Sequence, residues 1–148
     1  MKKENVQVGF SLQGIKTEQY AVFEEHYSPK KEVGLATELQ FKLDQKSRQI
    51  AVFLGFEFSQ GKKVFLKIVV SCHFIIEENA WKSFIKEKGT KLIVPKGFLA
   101  HIAMITTGTS RGVLFAKTEG TIFSKFIIPT LNVTEMISND ASFDITHE

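Results

Sequence analysis

The chain has 148 residues, of which 43% are hydrophobic and 24% charged, the make-up of a globular domain able to bury its own core without staples. Its net charge of +3 is carried by 17 Lys and only 2 Arg, with the doublets Lys2-Lys3, Lys30-Lys31 and Lys62-Lys63 at a terminus and in expected turns, which argues against a nucleic-acid surface. A single cysteine, Cys72, forms no internal disulfide, and no signal peptide or membrane-inserting segment is read; a reducing cytoplasmic location is the expectation.

The first half of the chain is organised by alternation. Val6, Val8, Phe10 and Leu12 open a first strand over residues 6–17. Residues 18–31 read as an excursion that ends in the turn Tyr27-Ser28-Pro29-Lys30. Val33, Leu35, Thr37, Leu39, Phe41 and Leu43 make the second stripe; Ile50, Val52, Leu54, Phe56 and Phe58 the third; Val64, Leu66, Ile68, Val70, Cys72, Phe74 and Ile76 the fourth. Successive side chains on a strand point to opposite faces, so each stripe marks a half-buried strand.

The turn between the third and fourth strands has a derivable register. Even-numbered positions are apolar on both sides, so even should face even. A three-residue loop, Gln60-Gly61-Lys62, meets that condition by pairing Ser59 with Lys63 and Phe58 with Val64. It then places Phe53 opposite Val69, and it assembles Phe53, Phe65, Val69 and Ile75 on the second face of the sheet. A cross-strand apolar cluster on a face expected to meet water predicts a contact surface.

The second half is helical. Glu77-Glu78-Asn79 leads into a short helix that carries Trp81 and Phe84, with Gly89 past its end. Pro95-Lys96-Gly97 opens a long helix over residues 98–117. On it, Ala100, Met104, Gly108, Gly112 and Ala116 form one i+4 row of mostly small residues. Each interior Gly costs roughly 1 kcal/mol relative to Ala, so this ridge predicts close approach of another backbone, from the sheet below or from a second chain. Asn132 and Glu135 form the two ends of a capping box for a last short helix. A single domain over residues 1–137 with a flexible acidic tail over 138–148 is the expected organisation. The fold class is α+β: a four-stranded antiparallel sheet followed by a long helix packed on one face.

Catalytic and metal-binding patterns are sparse. Of the histidines, His26, His73, His101 and His147, only His73 neighbours a cysteine, and adjacent strand residues point apart. His101 is the one acid–base candidate. Thr107-Gly108-Thr109-Ser110-Arg111-Gly112 lacks phosphate-loop spacing and sits within the helix, so Arg111 is expected to form a structural ion pair or to bond backbone carbonyls. No catalytic residue, cofactor or metal is assigned.

Several strings in order resemble the SecB export-chaperone family. They are Phe10-Ser11-Leu12-Gln13-Gly14-Ile15, Phe65-Leu66-Lys67-Ile68, Cys72-His73-Phe74-Ile75-Ile76, Glu119-Gly120-Thr121-Ile122-Phe123 and Ile128-Pro129-Thr130-Leu131-Asn132-Val133. The resemblance runs from about Val8 to Ile137. It implies a non-enzymatic, ATP-independent chaperone for non-native polypeptides, working as a homotetramer in which long helices pack between sheets. It also implies the SecA motor or an antitoxin as partner. The family is acidic where this chain is basic, and its last helix is longer. Two other readings stand beside it. One is a hotdog thioesterase, which needs His101 at the helix–sheet seam and a long helix after the first strand; the other is a scaffold for a single partner.

Overall fold

The computed structural model describes residues 8–145. Four long strands form the main sheet: β1 (Phe10–Val22), β2 (Gly34–Asp44), β3 (Gln49–Gln60) and β4 (Lys63–Ile76). They are antiparallel in the order β1-β4-β3-β2, so β1 and β2 are opposite edges and the connection between them crosses the end of the sheet. A short helix α1 (Glu78–Phe84) follows, then β5 (Ile85–Lys86) and β6 (Lys91–Val94), then the 23-residue α2 (Lys96–Thr118). The one-turn α3 (Val133–Met136) and β7 (Ala141–Asp144) complete the described chain. The expected α+β class and the long helix after the fourth strand are both present.

The core lies between the sheet and α2. Ile50, Val52, Leu54 and Phe56 of β3 and Leu66, Ile68, Val70, Cys72 and Phe74 of β4 are fully buried, as their alternation requires. They meet Leu99, Ile102, Ala103 and Leu114 of α2. The helix also turns hydroxyls toward the sheet, and each is satisfied within the helix. Thr106 Oγ1 donates to Ile102 O, Thr107 Oγ1 to Ala103 O, Ser110 Oγ to Thr106 O and Thr118 Oγ1 to Leu114 O, all at 2.7–2.8 Å. Such i−4 bonds let a small polar side chain be buried without an orphaned hydroxyl.

The β3–β4 turn corrects the expected register. The loop has two residues, Gly61-Lys62, with Gln60 paired to Lys63 and Ser59 to Val64. Gly61 takes φ +62°, which a glycine-led two-residue turn needs at its first position. A bulge then intervenes: Phe58 pairs with Leu66, and Phe65 is the extra residue. From there on even faces even, so the condition read from the stripes is met by a bulge instead of a third loop residue. The bulge turns both Phe65 and Leu66 inward.

β1 is longer than the alternation suggests, because two bulges break its phase. Register shifts fall between Leu12 and Gly14 and between Thr17 and Gln19, leaving Gln13 and Glu18 as the extra residues. Strand pairing therefore continues to Val22, through part of what the pattern marks as an excursion. The rest of the crossing, residues 23–33, is bolted to the β3–β4 hairpin. Buried Gln60 accepts from Ser28 N at 2.8 Å and donates Nε2 to Ser28 O at 2.7 Å and to Lys31 O at 3.3 Å.

The expected flexible tail is a second correction. β7 pairs with β6, giving a three-stranded sheet in the order β5-β6-β7. The reason is alternation over a short span: Ala141, Phe143 and Ile145 are half-buried against the core while Ser142 and Asp144 are exposed. Just before it, Asp140 Oδ1 accepts the Lys96 N–H at 2.8 Å and so caps α2, whose preceding Pro95 offers no side-chain cap. Asn132 caps α3 as expected, its Oδ1 accepting from Glu135 N at 3.3 Å.

Candidate functional site

Of the four residues expected on the second sheet face, three are there. Phe53, Val69 and Ile75 lie half-buried on the face away from α2. Phe65 is not: it is 0% exposed at the bulge, packed on the core side against Tyr27, Phe123 and Phe126 with ring centroids 5.0, 6.0 and 5.0 Å away. The register shift also moves Phe53 opposite Ser71, and Val69 opposite Gly55.

Gly55 leaves the centre of this face without a side chain, and a trough of about 580 Å³ results. One wall is the Phe53 ring, covered by Lys42 Nζ at 4.4 Å from its centroid. The other is the Glu57–Lys67 ion pair, at 3.3 Å, with Glu38 and Gln19 across the same row. Beside Phe53 runs a short polar chain. Ser71 Oγ donates to Glu18 Oε1 at 2.7 Å and accepts from His73 Nε2 at 2.9 Å. Burial, aided by the Lys16 charge and opposed by Glu18, holds the His73 imidazole below its usual range. With its proton committed to Glu18 and its side chain fully buried, Ser71 is no nucleophile for His73. The chain instead ties the β1 bulge residue Glu18 to β4.

The helix ridge is open. Met104, Gly108, Gly112 and Ala116 are exposed and Ala100 is half-buried. No heavy atom lies within 4 Å of where a Cβ would sit on Gly108 or Gly112. Of the two neighbours expected for the ridge, the chain's own sheet is therefore excluded. The glycines form a shallow notch flanked by Met104, 61% exposed, and Phe115, 51% exposed. His101 shares this exposed side, its ring edge-on to Phe10 at 5.6 Å. Arg111 donates Nε to Ile128 O at 2.7 Å and Nη2 to Pro129 O at 2.9 Å, so of the two structural roles expected for it the carbonyl-bonding one is observed.

A third feature has no counterpart in the sequence reading. A crevice of about 980 Å³ opens beside the start of α2, floored by Phe10, Phe84 and Phe98 and rimmed by Glu77, Lys86 and His101. Its residues come from four separate segments, so no local motif announces it. The Cys72 thiol is fully buried, and that burial raises it above its usual range. No group of three metal-ligating side chains occurs among the described residues, and none of their helices is long and apolar enough to cross a membrane.

No family model and no curated protein matches the sequence. Among solved structures, the chain is similar to a protein of unknown function from Streptococcus agalactiae. The two are 16% identical, with 86% of this chain and 99% of that one covered and a TM-score of 0.35.

Proposed function

We propose that this protein holds apolar segments of non-native polypeptides without nucleotide, as an oligomer joined through the back of α2. The observation that carries the reading is that open back. A solvated helix face has no use for two interior glycines between a methionine and a phenylalanine, whereas a closely packed second helix does. The order of strands and long helix, and the strings shared with the SecB family, support the same reading. The proposed client face is the outer sheet surface at Phe53, Val69 and Ile75, with the trough over Gly55 receiving a side chain. Phe65 is withdrawn from it.

Two measurements test this. Static light scattering of wild type and Gly112→Leu reads the assembly: the leucine should leave smaller species. It should not weaken the isolated chain, since the site is open and the exchange gains roughly 0.8 kcal/mol of helix propensity. Wild type that is already monomeric at micromolar concentration removes the oligomer. Suppression of aggregation of an unfolded client, without ATP, reads the holding activity. Phe53→Ser with Val69→Ser should weaken it, and no suppression by wild type at several-fold excess sinks the function.

A further inference from the structure

β6 is a strand with one edge covered by very little. β5 pairs with it through only two residues on one side. On the other side lies β7, with Lys91, Leu92, Ile93 and Val94 opposite Asp144, Phe143, Ser142 and Ala141. Outside this ladder, β7 is held by the half-buried side chains of Ala141 and Phe143 against the core, by the exposed Lys91–Asp144 ion pair at 3.0 Å, and by the bond from Ile145 N to Thr90 O at 3.0 Å. An exposed ion pair adds little.

Open space borders the strand. A crevice of about 1030 Å³ is lined by Phe143 and, across from it, by Leu43 of β2 with Gln45 and Lys46 of the β2–β3 turn. A cavity of about 200 Å³, lined by Trp81, Leu92 and Ile145, lies beneath it. The bed is rooted in the main core through Leu92 and Val94. No described element follows β7, and the Asp140 cap on Lys96 N lies one residue before it.

With β7 released, such an edge would offer unpaired backbone groups and alternating apolar seats, which is how sheets take up extended peptides. β7 shows what the seats accept: a small residue, an aromatic and a branched aliphatic at alternate positions, with an acid beside Lys91. We infer that the β6 edge is a binding edge for an extended client segment of the pattern small-x-Phe-x-Ile, held in the free chain by β7 as an internal occupant. This rests on the polypeptide-holding reading above.

The test uses the full chain and a labelled synthetic peptide with the sequence of residues 139–145, followed by fluorescence anisotropy. Phe143→Ser loosens β7 and should tighten peptide binding about tenfold relative to wild type. Ile93→Cys with Ser142→Cys, whose Cα atoms are partners across the ladder, locks β7 when oxidised. The locked chain should lose binding, and reduction should restore it. Equal affinity in loosened and locked chains, or no binding in any, overturns the inference. Peptide-independent dimerisation of the Phe143→Ser chain also overturns it, by assigning the edge to strand exchange between copies. If the peptide follows the expected order while no chain suppresses client aggregation, the edge stands and the holding function falls. If the locked chain suppresses aggregation as well as wild type and peptide affinity is unchanged, the reverse holds.

Discussion

Phe65→Ala distinguishes the bulged β4 from the regular one. In a regular strand with a three-residue loop, Phe65 faces water and its loss costs under about 1 kcal/mol. In the bulged strand it is fully buried, with three aromatic rings within 6.0 Å of its own. Core Phe→Ala substitutions cost about 3–5 kcal/mol, the spread depending on how far the surroundings collapse into the space. Tyr27 and Phe126 are half-buried and can move inward, so the lower end, about 3 kcal/mol, is expected. For a chain of this size that is a fall in Tm of about 10 °C. Urea unfolding monitored by circular dichroism gives the free energy, and thermal melts give the temperature. Phe53→Ala is the internal reference: half-buried on the outer face, it should lose about 1 kcal/mol. Equal losses for the two variants would refute the bulge, and with it the removal of Phe65 from the outer face.

Gln60→Ala leaves the Ser28 and Lys31 backbone groups without their partner, at a cost of about 2 kcal/mol, and should raise amide exchange across residues 23–33 before the main sheet is affected. His73 is held neutral more strongly in the fold than in the unfolded chain, whose His titrates near pH 6.5. The unfolded state thus takes up its proton first, and stability should fall as pH drops from about 6.5 through the lower folded value, then level off. His73→Gln should flatten that part of the stability profile; an unchanged slope would assign the effect to another group.

Much of the scaffold was legible because it rests on periodicity. The stripes at 50–58 and 66–76 mark the buried rows of β3 and β4, and helical spacing from Phe98 marks α2. The Asn132 cap was readable from local chemistry alone, and Arg111 only as one of two structural roles. What escaped are single-residue insertions and short strands. Gln13, Glu18 and Phe65 each shift the phase by one, and a two-residue period has no memory across such a shift. Ala141-Ser142-Phe143-Asp144-Ile145 does alternate, but five residues with one acid resemble a tail until β6 is there to receive them. The outer face was half-legible: three of the four residues were right, and the partners were wrong by two residues, one from the shorter loop and one from the bulge that hid Phe65. The aromatic crevice needed four distant segments, which no window along the chain contains.

The two bulges of β1 also bear on how this protein behaves when concentrated. β1 is an edge strand, and its ladder runs in pieces, residues 10–12, 14–17 and 19–22. Fibril-forming contacts need straight segments of about six or seven residues, and this edge presents no uninterrupted template of that length. The opposite edge, β2, is straight over eleven residues, but Glu38, Lys42 and Asp44 stand along it as charged gatekeepers. With both margins of the sheet so guarded, crowding should drive copies together through side-chain packing on the helical layer and leave dye-binding cross-β aggregates rare.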